Sequence, residues 1–148
     1  MPGYDYSSEG KYFITVCTKN KGNVLGNIEN DEIILNEEGK IVQSVWRELS
    51  HYNREIDLHE YIIMPDHIHG IIEIIDQGGR GLSEIIREFK TFSSKQINDV
   101  RRGGLLTLPD KDKFHWQRSF YDEIIRSKTQ YKKIVKYIKE NINNWKNA

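Results

Sequence analysis

His67 and His69 stand one residue apart in the stretch MPDHIHG (64–70), within a segment that otherwise reads as buried strand. Imidazoles are costly to bury without partners, so a paired placement asks what the rings hold. Alternate side chains of a strand share a face, which points both rings the same way from Cα atoms about 6.5 Å apart. One ion can bridge them. Two imidazoles leave most of a coordination shell open, as suits a catalytic ion that must also hold water or phosphate. Each ring could instead be satisfied by a backbone carbonyl or a carboxylate. Two on one face, directly after a tight turn, favour the ligand pair. The single cysteine, Cys17, leaves no Cys-rich zinc module and no internal disulfide framework.

A second group lies in SKTQYKKIVKYIKENINNW (127–145), which reads as one amphipathic helix with Ser127 as its N-cap. Around an apolar stripe centred on Ile138, Ile134, Ile142 and Tyr131 face inward and Lys132, Lys133, Lys136 and Lys139 face water. Tyr137 and Asn141, one turn apart, fall on the same flank at about 100° and about 60° from the centre. There they look sideways along the sheet, where a metal held by strand histidines could be reached. Helix geometry alone favours an ordinary boundary tyrosine at Tyr137.

The elements that must position these groups follow from periodicity. KYFITVCT (11–18) is a first strand; residues 24–28 and 33–35 form a short hairpin; a helix starts at Glu38 with Val42, Val45, Trp46 and Leu49 on its inner side. IDLHEYIIM and HIHGIIEII are antiparallel strands joined at Pro65-Asp66. A Gly-rich lead, with Ser83 as N-cap, opens a second helix over 83–99, and RRGGLLTLPDKDK (101–113) is a loop. FHWQRSFYDEIIR holds a strand or two before the last helix. The order β-α-β-β-α-β-α predicts an α+β, ferredoxin-like sandwich: a central antiparallel sheet with helices packed on one face.

At 148 residues, with 37% apolar and 30% charged residues, one domain spanning 1–148 is expected. No apolar run approaches the roughly 20 residues of a membrane-spanning helix, and the polar start MPGYDYSSEG lacks a signal-peptide layout. A cytoplasmic protein is expected. The formal net charge is zero, yet residues 1–74 carry 6 Lys+Arg against 13 Asp+Glu (−7) and residues 75–148 carry 16 against 9 (+7). Such segregation can present a basic face to phosphates.

These stretches together resemble the single-tyrosine HUH (IS200-like) transposases, in particular their REP-associated tyrosine transposase branch. The similarity runs through YFITVCT, YIIMPDHIHGIIEI, LSEIIREFKTFSSKQI, WQRSFYDEIIR and YIKENINNW. The resemblance implies cleavage and rejoining of single-stranded DNA beside a hairpin, through a 5′-phosphotyrosine, with Mg²⁺ or Mn²⁺. By position, His67 and His69 match the metal ligands, Tyr137 the nucleophile and Asn141 a polar third ligand. Ile142 stands where the family often has Pro. The implied partner is DNA carrying REP-like hairpins, met at the nucleoid by a monomer or a homodimer. Substrate contact is expected from Arg87, Lys90 and Lys95 on the second helix, Arg101 and Arg102 in the loop, and Arg118 among the aromatics of FHWQRSFY. Two other readings are a hairpin-binding module that does not cut, and a phosphodiesterase with a water nucleophile.

Overall fold

The computed structural model describes residues 10–76 and 79–146. The polar start and residues 77–78 of the Gly-rich lead lie outside them. Four strands, β1 (Gly10–Cys17), β4 (Ile56–Met64), β5 (His67–Ile74) and β6 (Tyr121–Ile125), form an antiparallel sheet in the order β4-β5-β1-β6. That order is the ferredoxin-like one, so the α+β sandwich is the architecture observed. A separate hairpin, β2 (Gly26–Glu29) and β3 (Glu32–Leu35), turns through Asn30 and Asp31, both at positive φ. Two successive left-handed residues match the right-handed twist of short hairpins, and Asn and Asp tolerate that region best.

Helix α1 (Glu37–Tyr52) starts where the Asn36 side chain accepts from the Gly39 N–H, and α2 spans Leu82–Arg102. Both pack on one face of the sheet. Period-2 alternation sends Tyr12, Ile14 and Val16 of β1, each fully buried, into that layer with Trp46 and Phe89. The other face carries Phe13 and Ile71, and on these α3 (Lys128–Lys139) lays Ile134 and Ile138. The histidines belong to this second face.

Besides shifts of one or two residues in β1, β2, β3, α1 and β5, three differences from the expected elements matter here. Helix α2 begins one residue before Ser83, with Gly81 at its N-cap and no side-chain cap, because Leu82 and Ile85 are already buried. It also runs on to Arg102, ending at Gly103 with φ 56°, so Arg101 and Arg102 stand in a helix and not in a loop. The C-terminal helix breaks: α3 ends at Lys139, Glu140 sits at φ −94°, ψ 5°, and α4 (Asn141–Lys146) follows. Three asparagines, a residue type of low helix propensity, follow in the next four residues.

Candidate active site

The turn Pro65-Asp66 sets the histidines. Its backbone carbonyls are gripped from the loop after β1: Thr18 N–H donates to Asp66 O at 2.9 Å and Leu25 N–H to Pro65 O at 2.8 Å. Asp66 has a second use. One carboxylate oxygen takes the Gly22 N–H at 3.2 Å, and the other lies 2.8 Å from His67 Nδ1. His69 Nδ1 lies 2.8 Å from Thr15 Oγ1, directly across the β1–β5 ladder. Both rings are thus oriented through Nδ1, and such outer partners fix ring tautomer and aim in metal-ligating histidines.

The two ring centroids are 4.6 Å apart. Burial, and secondarily the neighbouring His67, push the His69 pKa down to about 3. His69 is therefore neutral at physiological pH, the form that ligates metal. Among the described residues no group of three or more His, Cys, Asp or Glu converges as a metal site.

Tyr137 comes to this pair from α3. Its ring centroid is 5.4 Å from that of His69 and 6.0 Å from Phe13, and it is 43% exposed, open to a substrate. Phe13 organises the cluster: it stacks on His69 at 5.4 Å and meets Tyr137 and Tyr121 edge-on. Asn141 is buried at the start of α4, across the break from Tyr137, so one continuous helical turn does not link the two. His67, His69 and Tyr137 are brought together; Asn141 is placed by a separate element.

The cations expected at the substrate stand on the opposite face. Arg101 makes a two-pronged bridge to Glu38, at 2.7 and 2.8 Å, and that bond raises its pKa. Lys95 and Arg102 both pair with Asp99. Lys90 Nζ donates to the carbonyls of Gln117 and Arg118 at 2.9 and 3.0 Å, clasping the loop before β6, and burial lowers its pKa. Arg87 and Arg118 line a groove with Lys90 and Asp122, beside edge strand β6. Tyr121 rises from the other side of that strand, 57% exposed and opposite Thr15.

Asp66, Thr15 and Phe13 are parts of the site that sequence reading passed over. Asp66 was signalled by its place before His67. Thr15 and Phe13 depend on the β1–β5 register, which pairing decides and local sequence does not.

The α+β sheet gathers two oriented imidazoles and an accessible tyrosine on one face. Residues 6–141 match the family model for IS200-like transposases, and the chain belongs to that family. A relative in Haemophilus influenzae, known only as an uncharacterized protein, is 35% identical over 93% of this chain and 83% of its own. The fold is shared with a REP-associated tyrosine transposase solved bound to a REP hairpin (TM-score 0.68, 21% identity, 95% of this chain and 72% of that one). It is shared also with a putative transposase from Deinococcus radiodurans R1 (TM-score 0.59, 19% identity, 93% of each chain). Among the described residues no helix is long and apolar enough to cross a membrane.

Proposed function

We propose that this transposase, of the REP-associated tyrosine branch, is a metal-dependent nickase that cleaves and rejoins single-stranded DNA beside a hairpin. The observation that carries the reading is Tyr137 standing 5.4 Å, ring to ring, from a neutral His69 whose orientation is held by Thr15. The 1–148 chain acts as one catalytic domain in the cytoplasm, at the nucleoid. His67 and His69 hold Mg²⁺ or Mn²⁺ with Asn141 as a further ligand. Bound there, the ion supplies polarisation of the scissile phosphate and offsets charge in the transition state.

The chain's own groups do the rest. Tyr137 Oη attacks phosphorus in line, the P–O3′ bond breaks, the phenol proton passes to a base and O3′ leaves as a hydroxyl after taking a proton. A phenol of pKa about 10 is a weak nucleophile, which is why the site must lower the barrier from the phosphate side. The 5′-phosphotyrosine keeps the bond's energy, so a DNA 3′-OH reverses the step. Arg87 and Arg118, beside β6, contact the hairpin backbone, while Lys95 and Arg102 are held by Asp99, Arg101 by Glu38 and Lys90 by the loop before β6. The chain acts as a monomer or a homodimer, with Tyr137 brought beside His69.

The test is a denaturing gel of protein with labelled hairpin DNA and Mn²⁺. Wild type, Tyr121→Phe and Tyr131→Phe should give a covalent adduct, and Tyr137→Phe none while still binding the hairpin. Hairpin binding without any cleavage would identify a binding module instead, and cleavage without an adduct a water nucleophile.

A further inference from the structure

Beyond Phe13 and Ile71, the α3 face of the sheet carries a second polar cluster. His59 Nε2 lies 2.8 Å from Glu73 Oε1 and His59 Nδ1 lies 3.0 Å from Tyr131 Oη. Lys11 Nζ is 3.7 Å from Glu73 and 5.8 Å above the Tyr131 ring. Against this cluster opens a cavity walled by Lys11, Arg126, Lys128 and Lys132, with Ile125 and Tyr131 as its apolar part. The carboxylate in this lining, Glu73, is already answered by Lys11 and His59. Among the described residues neither Lys128 nor Lys132 has an ion pair. The first turn of α3 adds the positive end of its dipole, the Ser127 hydroxyl being spent on the Gln130 N–H.

Clustered cations repel one another, and an anion in their midst removes that cost. An aromatic ring held in place by His59 and Glu73 gives the same cavity a surface for a sugar or base. Lys11 lies four residues along β1 from Thr15, about 13 Å, and Tyr131 lies six residues along α3 from Tyr137, about 9 Å. A strand of a few nucleotides covers that span.

We propose that this cavity is a subsite for a nucleotide of the single strand flanking the hairpin, taking its phosphate between Lys11, Lys128 and Lys132 and its base or sugar against Tyr131. The inference rests on the DNA-cleaving reading above and deepens it: one end of α3 carries the chemistry, the other grips the strand at a set distance.

The experiment compares wild type with Lys128→Ala/Lys132→Ala, by fluorescence anisotropy on a hairpin without flank and on the same hairpin with its single-stranded flank. The flank should tighten wild-type binding about tenfold, and the variant should lose that gain. Its log–log salt slope on flanked DNA should fall by about 1.4, near 0.7 for each phosphate contact to a single strand. Binding to the unflanked hairpin should not change. A variant that keeps the gain, or weakens equally on both DNAs, overturns the subsite. A second measurement separates this from failure of the broader reading: amide NMR shifts of the wild type titrated with a short 5′-phosphorylated oligothymidylate. Saturable shifts at Lys11 and residues 126–132 uphold the subsite even if no hairpin binds. No shift there, or equal shifts with inorganic phosphate, overturns it.

Discussion

On the α1/α2 face of the sheet, Tyr12, Ile14, Ile68 and Ile72 are wholly buried against side chains such as Trp46 and Phe89. On the α3 face, four buried apolar residues, Phe13, Ile71, Ile134 and Ile138, share the surface with His67, His69, Thr15, His59 and Glu73. One sheet therefore carries a thick dry layer and a thin wet one. The thick layer sets stability, since apolar area removed from water is the dominant favourable contribution to folding. It frees the thin layer to hold groups that would otherwise cost too much to bury. Gly70 shows the coupling: a Cβ there would stand 2.5 Å from the Trp46 ring, so the residue after His69 must be bare for α1 to seat.

If the division holds, changes on the wet face should remove chemistry and spare stability. Asp66→Asn and Thr15→Val leave both imidazoles in place but loosen their aim, and each should lower metal affinity or nicking about 10–100-fold. Thermal melting should stay close to wild type. A collapse of the melt in either variant would mean that the wet face supports the fold.

Changes on the dry face should do the reverse. Phe89→Ala removes a fully buried ring packed on Trp46 and Trp116 and should cost about 3–5 kcal/mol in urea unfolding. Gly70→Ala drives a methyl into Trp46 and should cost about 1–3 kcal/mol. In Gly70→Ala, which borders both faces, adduct formation should fall only as far as the folded fraction falls.

Acid sharpens the contrast. His69 has an unfolded pKa of 6.5 and a folded one of about 3, so below pH 6.5 the unfolded chain binds a proton that the native one refuses. Stability is unaffected by this group above 6.5, declines as pH falls and stops declining near 3. At pH 5 the loss is about 2 kcal/mol. His69→Gln should flatten that part of the stability profile, and an unchanged profile would show that His69 charges freely in the native state.

The strands on either side of the turn were legible to within one residue: 56–64 ends at Met64 and the next begins at His67, ending at Ile74 where Ile75 was expected, because Pro-Asp marks the turn and alternation does the rest. The strand period put His67 and His69 on one face, whereas the helix period left Tyr137 as a boundary tyrosine and only the family resemblance singled it out. What failed was tertiary. Arg101 and Arg102 read as loop because charge and glycine follow one another, yet Ile97 is buried and Arg101 reaches Glu38 on α1, so the helix is carried one turn further. The stop signal was present at Gly103, just beyond them. The break at Glu140 was hidden by an apolar stripe that continues through Ile142.

The smallest effect separates cations by what already holds them. A lysine or arginine that is paired with a carboxylate releases little when it meets a phosphate, because it must first give up its partner. One facing only solvent displaces counterions condensed on the DNA and contributes a slope of about 0.9 per duplex phosphate. Lys95 and Arg102 share Asp99, at 3.7 and 3.2 Å, on the far side of α2. Arg87 and Arg118 line the groove beside β6, whose other side presents Tyr121 toward the histidines. Arg87→Ala with Arg118→Ala should therefore reduce the salt slope of hairpin binding by about 1.8, whereas Lys95→Ala with Arg102→Ala should leave it nearly unchanged. Anisotropy titrations across a salt series read both. The opposite ranking would move the hairpin to the far side of α2, onto the dry layer's outer surface, and would leave the β6 groove without a role in binding.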